Sequence, residues 1–466
     1  MNFLDLESRE LLLPLLACFL ALPLTKVCIR PYAFDESHFY VYFNMQDAQQ
    51  DIIEPGGNAS QVIDHFFRQE WGRVIAFLTG RFGTEQLELI EDAVQDALER
   101  AMQHWPYRGV PENPSAWIMQ VARNRLIDQL RRAQKQGGQI PEQAETMQSD
   151  WEKSLPDDQL NMIFACCHPL LSAEQQVILS LRILLGFGRG EIASALLKKE
   201  EAVAKQLVRA KQKLKEANVR MEVPAREVLP ERLSVVLRII YLIFNEGYKA
   251  SAGDQLLRQD LCMEALRLNS LLLDSPHIED PDVAALQALM CFQAARLPAR
   301  LSEAGRLLTL EEQDRRLWDQ RLIQEGARRL YQVGQHHHSE YVLQAAMAAA
   351  HSMADSYEAT NWEHLLGLYD ALLGMRPSPV VQLNRMVPFA RVHGPEAAIR
   401  LLEEHPERTA LEERYLFHAL LGFLYAGAGD KAKAEAAYQE AASRTENETE
   451  RDYLLHQAAA LAGSGS

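Results

Sequence analysis

Between Asn113 and Lys135 apolar residues return every four positions, at Ile118, Ala122, Leu126 and Leu130. That spacing predicts a helix with one buried stripe. Asn113-Pro114-Ser115 supplies its start, with Asn as the cap and Pro in the first turn. On its other faces fall Gln120, Asn124 and Arg131, flanked by Arg123, Arg125 and Arg132. A second stripe, Val203, Leu207, Ala210 and Leu214, predicts a helix over Ala202–Glu216 with Lys205, Gln206, Arg209 and Lys213 outward. Just before it, Gly190–Leu197 reads as a short helix packing through Ile192, Ala193 and Leu196, and Lys198–Glu201 as a polar turn. From residue 226 onward Ala and Leu recur at helical spacing to the end of the chain. The expected fold class is all-α.

Charge changes the picture of both stripes. Ser115–Lys135 carries a balance of +4 and residues 198–215 one of +5, in a chain whose net charge is −16. The remainder therefore holds −25. Such a body repels nucleic acid except where the two cationic helices present themselves, so a general nucleic-acid coat is excluded. Helix, tight turn and cationic helix over 190–216 is the helix-turn-helix plan, whose second helix enters the major groove. Leu197 stands near the turn position where many such motifs have Gly. Upstream of the first cationic helix, His104–Glu112 reads as a loop carrying Trp105 and Tyr107, with Trp117 at the helix start. Aromatic rings beside arginines suit single-stranded nucleic acid, because any base can stack while guanidinium groups hold phosphates. The same residues also fit a core tryptophan pair beside a solvated cationic face, and the second segment also fits a structural hairpin.

The rest of the chain is less specific. Gln136–Glu152 is polar and acidic and reads as a mobile linker. Near the end, Leu421-Gly422, Tyr425, Ala434, Tyr438 and Ala441 fit the tetratricopeptide template, and Trp362–Tyr369 and Leu383–Glu404 read as degenerate copies. Stacked helical pairs of that kind leave a concave surface for a peptide or protein ligand. Leu11–Leu24 is a fourteen-residue apolar run, too short to span a bilayer at the usual ~20 residues. Asp5, Glu7 and Glu10 precede it where a signal peptide needs positive charge, and Met45 is read as the true start. No stable membrane association and a cytoplasmic location are expected. The six Cys lack paired metal or redox spacing. Cys166-Cys167-His168 reads as a packed helix end, and His336–His338 as a solvated loop. Carboxylates form no recognisable acid/base pair with a nucleophile. No catalytic residue, metal site or cofactor is assigned, and no enzyme is expected.

With these motifs in place, residues 61–217 resemble an extracytoplasmic-function (ECF) sigma factor of bacterial RNA polymerase. Leu89–Trp105 is similar to the helix with which that family docks on the polymerase β′ clamp helices, Ala116–Arg132 to its −10-reading helix, and Leu171–Arg182 with the following helix-turn-helix to its −35-reading domain. The resemblance implies sigma region 2 at 61–134, an acidic linker at 135–156, sigma region 4 at 157–217, and residues 1–60 unassigned. It implies polymerase contacts from Asp92, Gln95, Asp96, Glu99 and Arg100. It implies −10 contacts from Trp105, Tyr107, Arg108, Trp117, Gln120, Arg123, Asn124, Arg125, Arg131 and Arg132, with the loop 105–113 receiving an extruded base. On the −35 side it implies Lys205, Gln206 and Arg209 in the groove, with Lys211 and Lys213 on phosphates. Core polymerase (β′ clamp helices and β flap) and promoter DNA are the implied partners. Leu229–Tyr248 resembles the start of the extension found in one ECF subgroup, so 226–466 is expected to be a tetratricopeptide-like solenoid that regulates the sigma regions in cis.

Two other classes fit parts of the pattern. A helix-turn-helix regulator responding to a peptide would footprint on duplex DNA without polymerase. A helical scaffold would bind no DNA at all.

Overall fold

The computed structural model describes residues 59–134, 151–196, 198–248, 259–302, 308–334, 337–445 and 448–463. The apolar run Leu11–Leu24, Met45, most of the linker, Leu197 and His336 lie outside the described residues. The described residues are helical, without a strand, and fall into two units that meet at Ile239 and Ile240.

The first unit begins with α1 (Ala59–Phe82), α2 (Leu87–Arg108) and α3 (Pro114–Gln134). The stripe of α3 is buried as its spacing predicts, with Ile118, Ala122 and Leu126 at 0% exposure. Asn113 caps it, its Oδ1 accepting from Ala116 N at 2.9 Å. The expected loop at 104–112 is corrected by the structure: α2 runs on through Pro106 to Arg108. It stops at Gly109, which has φ +81° and donates to Trp105 O at 3.0 Å.

Next comes α4 (Trp151–Cys166), which begins inside the segment read as linker and carries Pro156 within it. It packs along α1. Arg81 of α1 pairs with Asp158, donates to Ser154 Oγ at 2.7 Å and lies 4.0 Å over the Phe77 ring. These contacts recruit residues 151–156 into regular structure. Burial raises the Asp158 carboxyl above its ordinary value despite Arg81.

Helix α5 (Ala173–Ile183) opens on a capping box, with Gln175 N donating to Ser172 Oγ at 3.3 Å and Ser172 N to Gln175 Oε1 at 3.1 Å. After α6 (Arg189–Ala195), α7 spans Glu200–Glu216, two residues earlier than its apolar stripe requires. Glu200 and Glu201 sit in its first turn, where negative charge is favoured by the helix dipole. α1 meets the end of α5 closely at Gly72, where an added Cβ would lie 2.2 Å from the backbone oxygen of Leu184. Only glycine permits that approach.

The second unit continues α8 (Leu229–Tyr248) and adds α9 (Gln259–Leu273), α10 (Pro281–Ala294), α11 (Gln320–Val333) and α12 (Glu340–Ser352). The boundary between the units falls inside α8. α10 is buried on every face from Ala285 to Ala294 and packs against α9, α11 and α12. A helix apolar all round belongs at the centre of its neighbours. The remaining elements are α13 (Trp362–Met375), α14 (Pro379–His393), α15 (Pro395–Glu403), α16 (Arg408–Glu412), α17 (Tyr415–Gly427), α18 (Lys431–Arg444) and α19 (Glu448–Gly463). Sequential neighbours pack as hairpins, α13 on α14, α17 on α18 and α18 on α19. In the last set Ala419, Tyr438, Ala441, Ala442, Leu454 and Ala458 share one core. Gly422 lies against the Tyr438 ring, where a Cβ would come within 2.7 Å.

Candidate nucleic-acid interface

The outward faces of α3 and α7 carry most of the cationic side chains that the sequence singles out. On α3, Gln120 and Asn124 are exposed one turn apart, and Arg131 and Arg132 are exposed at its end. Just before α3, Tyr107 stands 89% exposed in the last turn of α2, with Arg108 exposed beside it. Trp105 is placed differently from Tyr107. It is 6% exposed and meets half-buried Trp117 edge to face at 5.6 Å. The two tryptophans thus hold α2 to α3, and the exposed ring at this end is Tyr107.

Two of the arginines are less available than the sequence suggests. Arg123 is half-buried. Arg125 Nε donates to Asp96 Oδ2 at 2.5 Å, which joins one residue read for DNA to one read for polymerase. Of the remaining α2 set, Asp92, Gln95, Glu99 and Arg100 are exposed, and Gln95 Nε2 donates to Glu99 Oε1 at 3.1 Å.

On α7, Val203, Leu207, Ala210 and Leu214 are buried, and Lys205, Arg209 and Lys213 are exposed. Lys213 Nζ donates to Leu170 O at 3.1 Å and to Gln175 Oε1 at 2.9 Å. Gln206 is half-buried between Gln175 Nε2, 3.2 Å away, and Glu174 Oε2 at 3.4 Å. Lys211 does not face outward: its ammonium lies against the carboxylate of Glu91 on α2. Glu91 is 4% exposed and also accepts from Arg182 Nε at 2.8 Å. Arg182 stacks over Trp71 at 4.6 Å, and Trp71 Nε1 donates to Arg182 O at 3.0 Å. At the far end Thr84 Oγ1 donates to Val219 O at 2.8 Å. The helices before and after the linker therefore share one interior, centred on Glu91.

The sequence reading missed Glu91, Arg182 and Trp71 as a group, because nothing local marks partners some ninety residues apart. It also missed Arg189, which with Lys199, Glu200, Glu201 and Ala204 lines a shallow hollow at the turn before α7. A basic residue opening α6 was the available signal.

Elsewhere, Cys166 and Cys167 are buried at the end of α4. Burial pushes both thiols up, Cys167 to about 12, so they stay protonated. His337 is not the solvated residue expected of 336–338: its Nε2 lies 2.7 Å from Asp282 Oδ1. With Asp280 these form the group of side chains, among the described residues, whose geometry could hold a metal ion. No helix among the described residues is long and apolar enough to cross a membrane.

Two cationic helices in one helical unit, one of them second in a helix-turn-helix, are the arrangement of a DNA-binding protein. Comparison with known families gives the class its name. Residues 66–136 match Sigma-70 region 2, residues 161–214 match Sigma-70, region 4, and residues 232–333 match a family of unknown function (DUF6596). The chain is 38% identical over 381 residues to "Uncharacterized protein R00370" of Rhizobium meliloti (strain 1021), an alignment covering 80% of this chain and 89% of that protein. No solved structure matches it. The chain belongs to the sigma-70 factors, in the ECF-like form that carries an additional C-terminal domain. Its role is in transcription initiation, with RNA polymerase core and promoter DNA as partners.

Proposed function

We propose that this chain is an ECF sigma factor that reads a −10 element with α3 and a −35 element with α7 and is regulated in cis by its second unit. The observation that carries the reading is the end of α2 and the outer face of α3. There Tyr107, 89% exposed, stands beside a helix that presents Gln120, Asn124, Arg131 and Arg132 to solvent. An exposed ring next to amides and guanidinium groups can hold an unpaired base and the phosphates flanking it. Trp105 acts as the support of that corner and not as a stacking surface. The exposed α2 residues Asp92, Gln95, Glu99 and Arg100 dock on the β′ clamp helices, and α7 enters the −35 groove through Lys205 and Arg209 while the β flap holds its domain.

For the second unit, the hairpin of α17 and α18 with Gly422 against Tyr438 supports a tetratricopeptide-like reading. A peptide or protein ligand on such a surface would bias the availability of the sigma regions. A location in the cytoplasm follows from the same reading.

Run-off transcription with bacterial core polymerase, the full chain and DNA from upstream of its own gene tests the proposal. A specific transcript is expected, and Asn124→Ala with Arg209→Ala should abolish it. A salt-sensitive footprint without polymerase, and no transcript with it, would instead establish the duplex-binding regulator.

A further inference from the structure

The interior of the second unit gathers more cationic donors than a structural core needs. Arg296 and Arg300, which follow α10, and Arg391 of α14 are each 5–6% exposed. Arg315 belongs to the short turn before Trp318, in the irregular segment between α10 and α11. Each guanidinium has partial satisfaction from neutral groups. Arg296 donates to the Tyr248 hydroxyl at 2.8 Å, and Arg300 binds the Tyr248 carbonyl and covers its ring at 3.8 Å. Arg315 Nη1 donates to His351 O at 2.8 Å and Ala354 O at 2.7 Å. Arg391 lies over the rings of Tyr357 and Trp362 at 5.1 and 5.2 Å.

Arg315 is half-buried beside Trp318. Its Nη2 is buried and finds no acceptor among the described residues, and neither does the buried indole Nε1 of Trp318, whose ring Arg315 covers at 4.4 Å. The Ser352 hydroxyl, next in sequence to the carbonyl that Arg315 binds, is also buried without a partner. The positive charge of Arg296 reaches both Arg315 and His351, and burial with that charge lowers Arg315 to about 10 and His351 to about 3. His351 is therefore neutral. The carboxylates of Glu358 and Asp355 offset part of the Arg315 charge, and Glu358 also accepts from Ser356 Oγ at 2.7 Å, but no carboxylate among the described residues bonds the Nη2 edge. A buried guanidinium edge and an indole N–H without acceptors each cost free energy unless an acceptor meets them. An anionic oxygen is the strongest acceptor that either N–H can meet, because a hydrogen bond to a charged acceptor is about twice as strong as one between neutral groups.

We propose that the second unit binds a small oxyanion-bearing ligand, carboxylate or phosphate, at Arg315 and Trp318, with Arg296 supplying long-range attraction. The site sits on an irregular segment held by rigid helices, where binding residues are commonly found. It does not depend on the sigma reading, since it uses no residue before Tyr248.

The test is thermal melting of the full chain in sodium phosphate and in sodium succinate, each against sodium chloride at matched ionic strength. One probe should raise the melting temperature saturably, by about 5 °C or more at a hundredfold excess over Kd. Phosphate alone would indicate a phosphoryl ligand and succinate alone a carboxylate. Trp318→Phe, which keeps the ring and loses the N–H, should weaken the apparent affinity about tenfold. Arg315→Met should remove the shift. Failure of both probes to exceed chloride, or variants that respond as the parent does, would overturn the proposal.

Discussion

The contact centred on Glu91 makes a quantitative demand. Its carboxylate is about 5% exposed and faces two cations, Arg182 and Lys211, which are 20% and 17% exposed. Glu91→Ala leaves both without their anion in a largely dry site. Breaking a buried pair from one side costs about 3–5 kcal/mol, and the residual access of water to both cations points to the low end, about 3 kcal/mol. For a unit of roughly this size that is a loss of about 6–12 °C in melting temperature. Arg182→Met costs less, about 2 kcal/mol, because Lys211 still holds Glu91. Scanning calorimetry of the single variants and of Glu91→Ala with Arg182→Met completes a double-mutant cycle. A coupling of at least about 1 kcal/mol is expected for side chains in direct contact. If Glu91→Ala melts within about 0.5 kcal/mol of the parent, or the coupling is near zero, α2 is not held to α5 and α7 by this charge and the shared interior described above is wrong.

Four further outcomes follow from other contacts. Tyr107→Ala should leave the melting temperature unchanged, since the ring is 89% exposed, and should reduce permanganate reactivity of unpaired −10 thymines in the polymerase complex. Trp105→Ala should destabilise by about 3–5 kcal/mol in denaturant titration, as for other buried aromatic truncations, because its ring packs on Trp117. Gly422→Ala should cost about 2 kcal/mol by the same measurement, since the new Cβ meets the Tyr438 ring. Glu311, raised to about 7 chiefly by burial, stays protonated in the folded chain between about pH 4.5 and 7 while the unfolded chain ionises. Stability must therefore fall as pH rises through that window. Glu311→Gln should stabilise by about 1 kcal/mol at pH 8 after allowance for solvent screening and change little at pH 4, and an equal effect at both would refute the assignment.

Much of the first unit could be read from periodicity. Ile118, Ala122 and Leu126 on α3, and Val203, Leu207, Ala210 and Leu214 on α7, are buried as their spacing predicts, since a four-residue recurrence admits one helical face. The family-level outline rested on three motifs in order, and the comparisons with known families support it. What the sequence concealed is of two kinds. Pro106 between aromatics reads as a loop, but packing of Trp105 on Trp117 carries the helix two residues past it. Counting charges treats every cation as free, whereas Arg125 and Lys211 are neutralised by Asp96 and Glu91. Partners that distant leave no mark on local pattern. The same blindness hid Arg315 and Trp318, which look like ordinary loop residues until their surroundings are known.

The burial of Lys211 against Glu91 bears on how promoter affinity responds to ions. A cation already held by a carboxylate displaces no counterion from DNA, so it adds nothing to the slope of log affinity against log salt. Each phosphate contact otherwise steepens that slope by about 0.9. If α2 and α7 stay together on the promoter, Lys211→Met leaves the slope of holoenzyme binding as it was. If they part, the freed ammonium joins the phosphates and its removal flattens the slope by one such step. A salt titration would thus report, without any structural probe, whether α2 and α7 separate when the protein engages DNA.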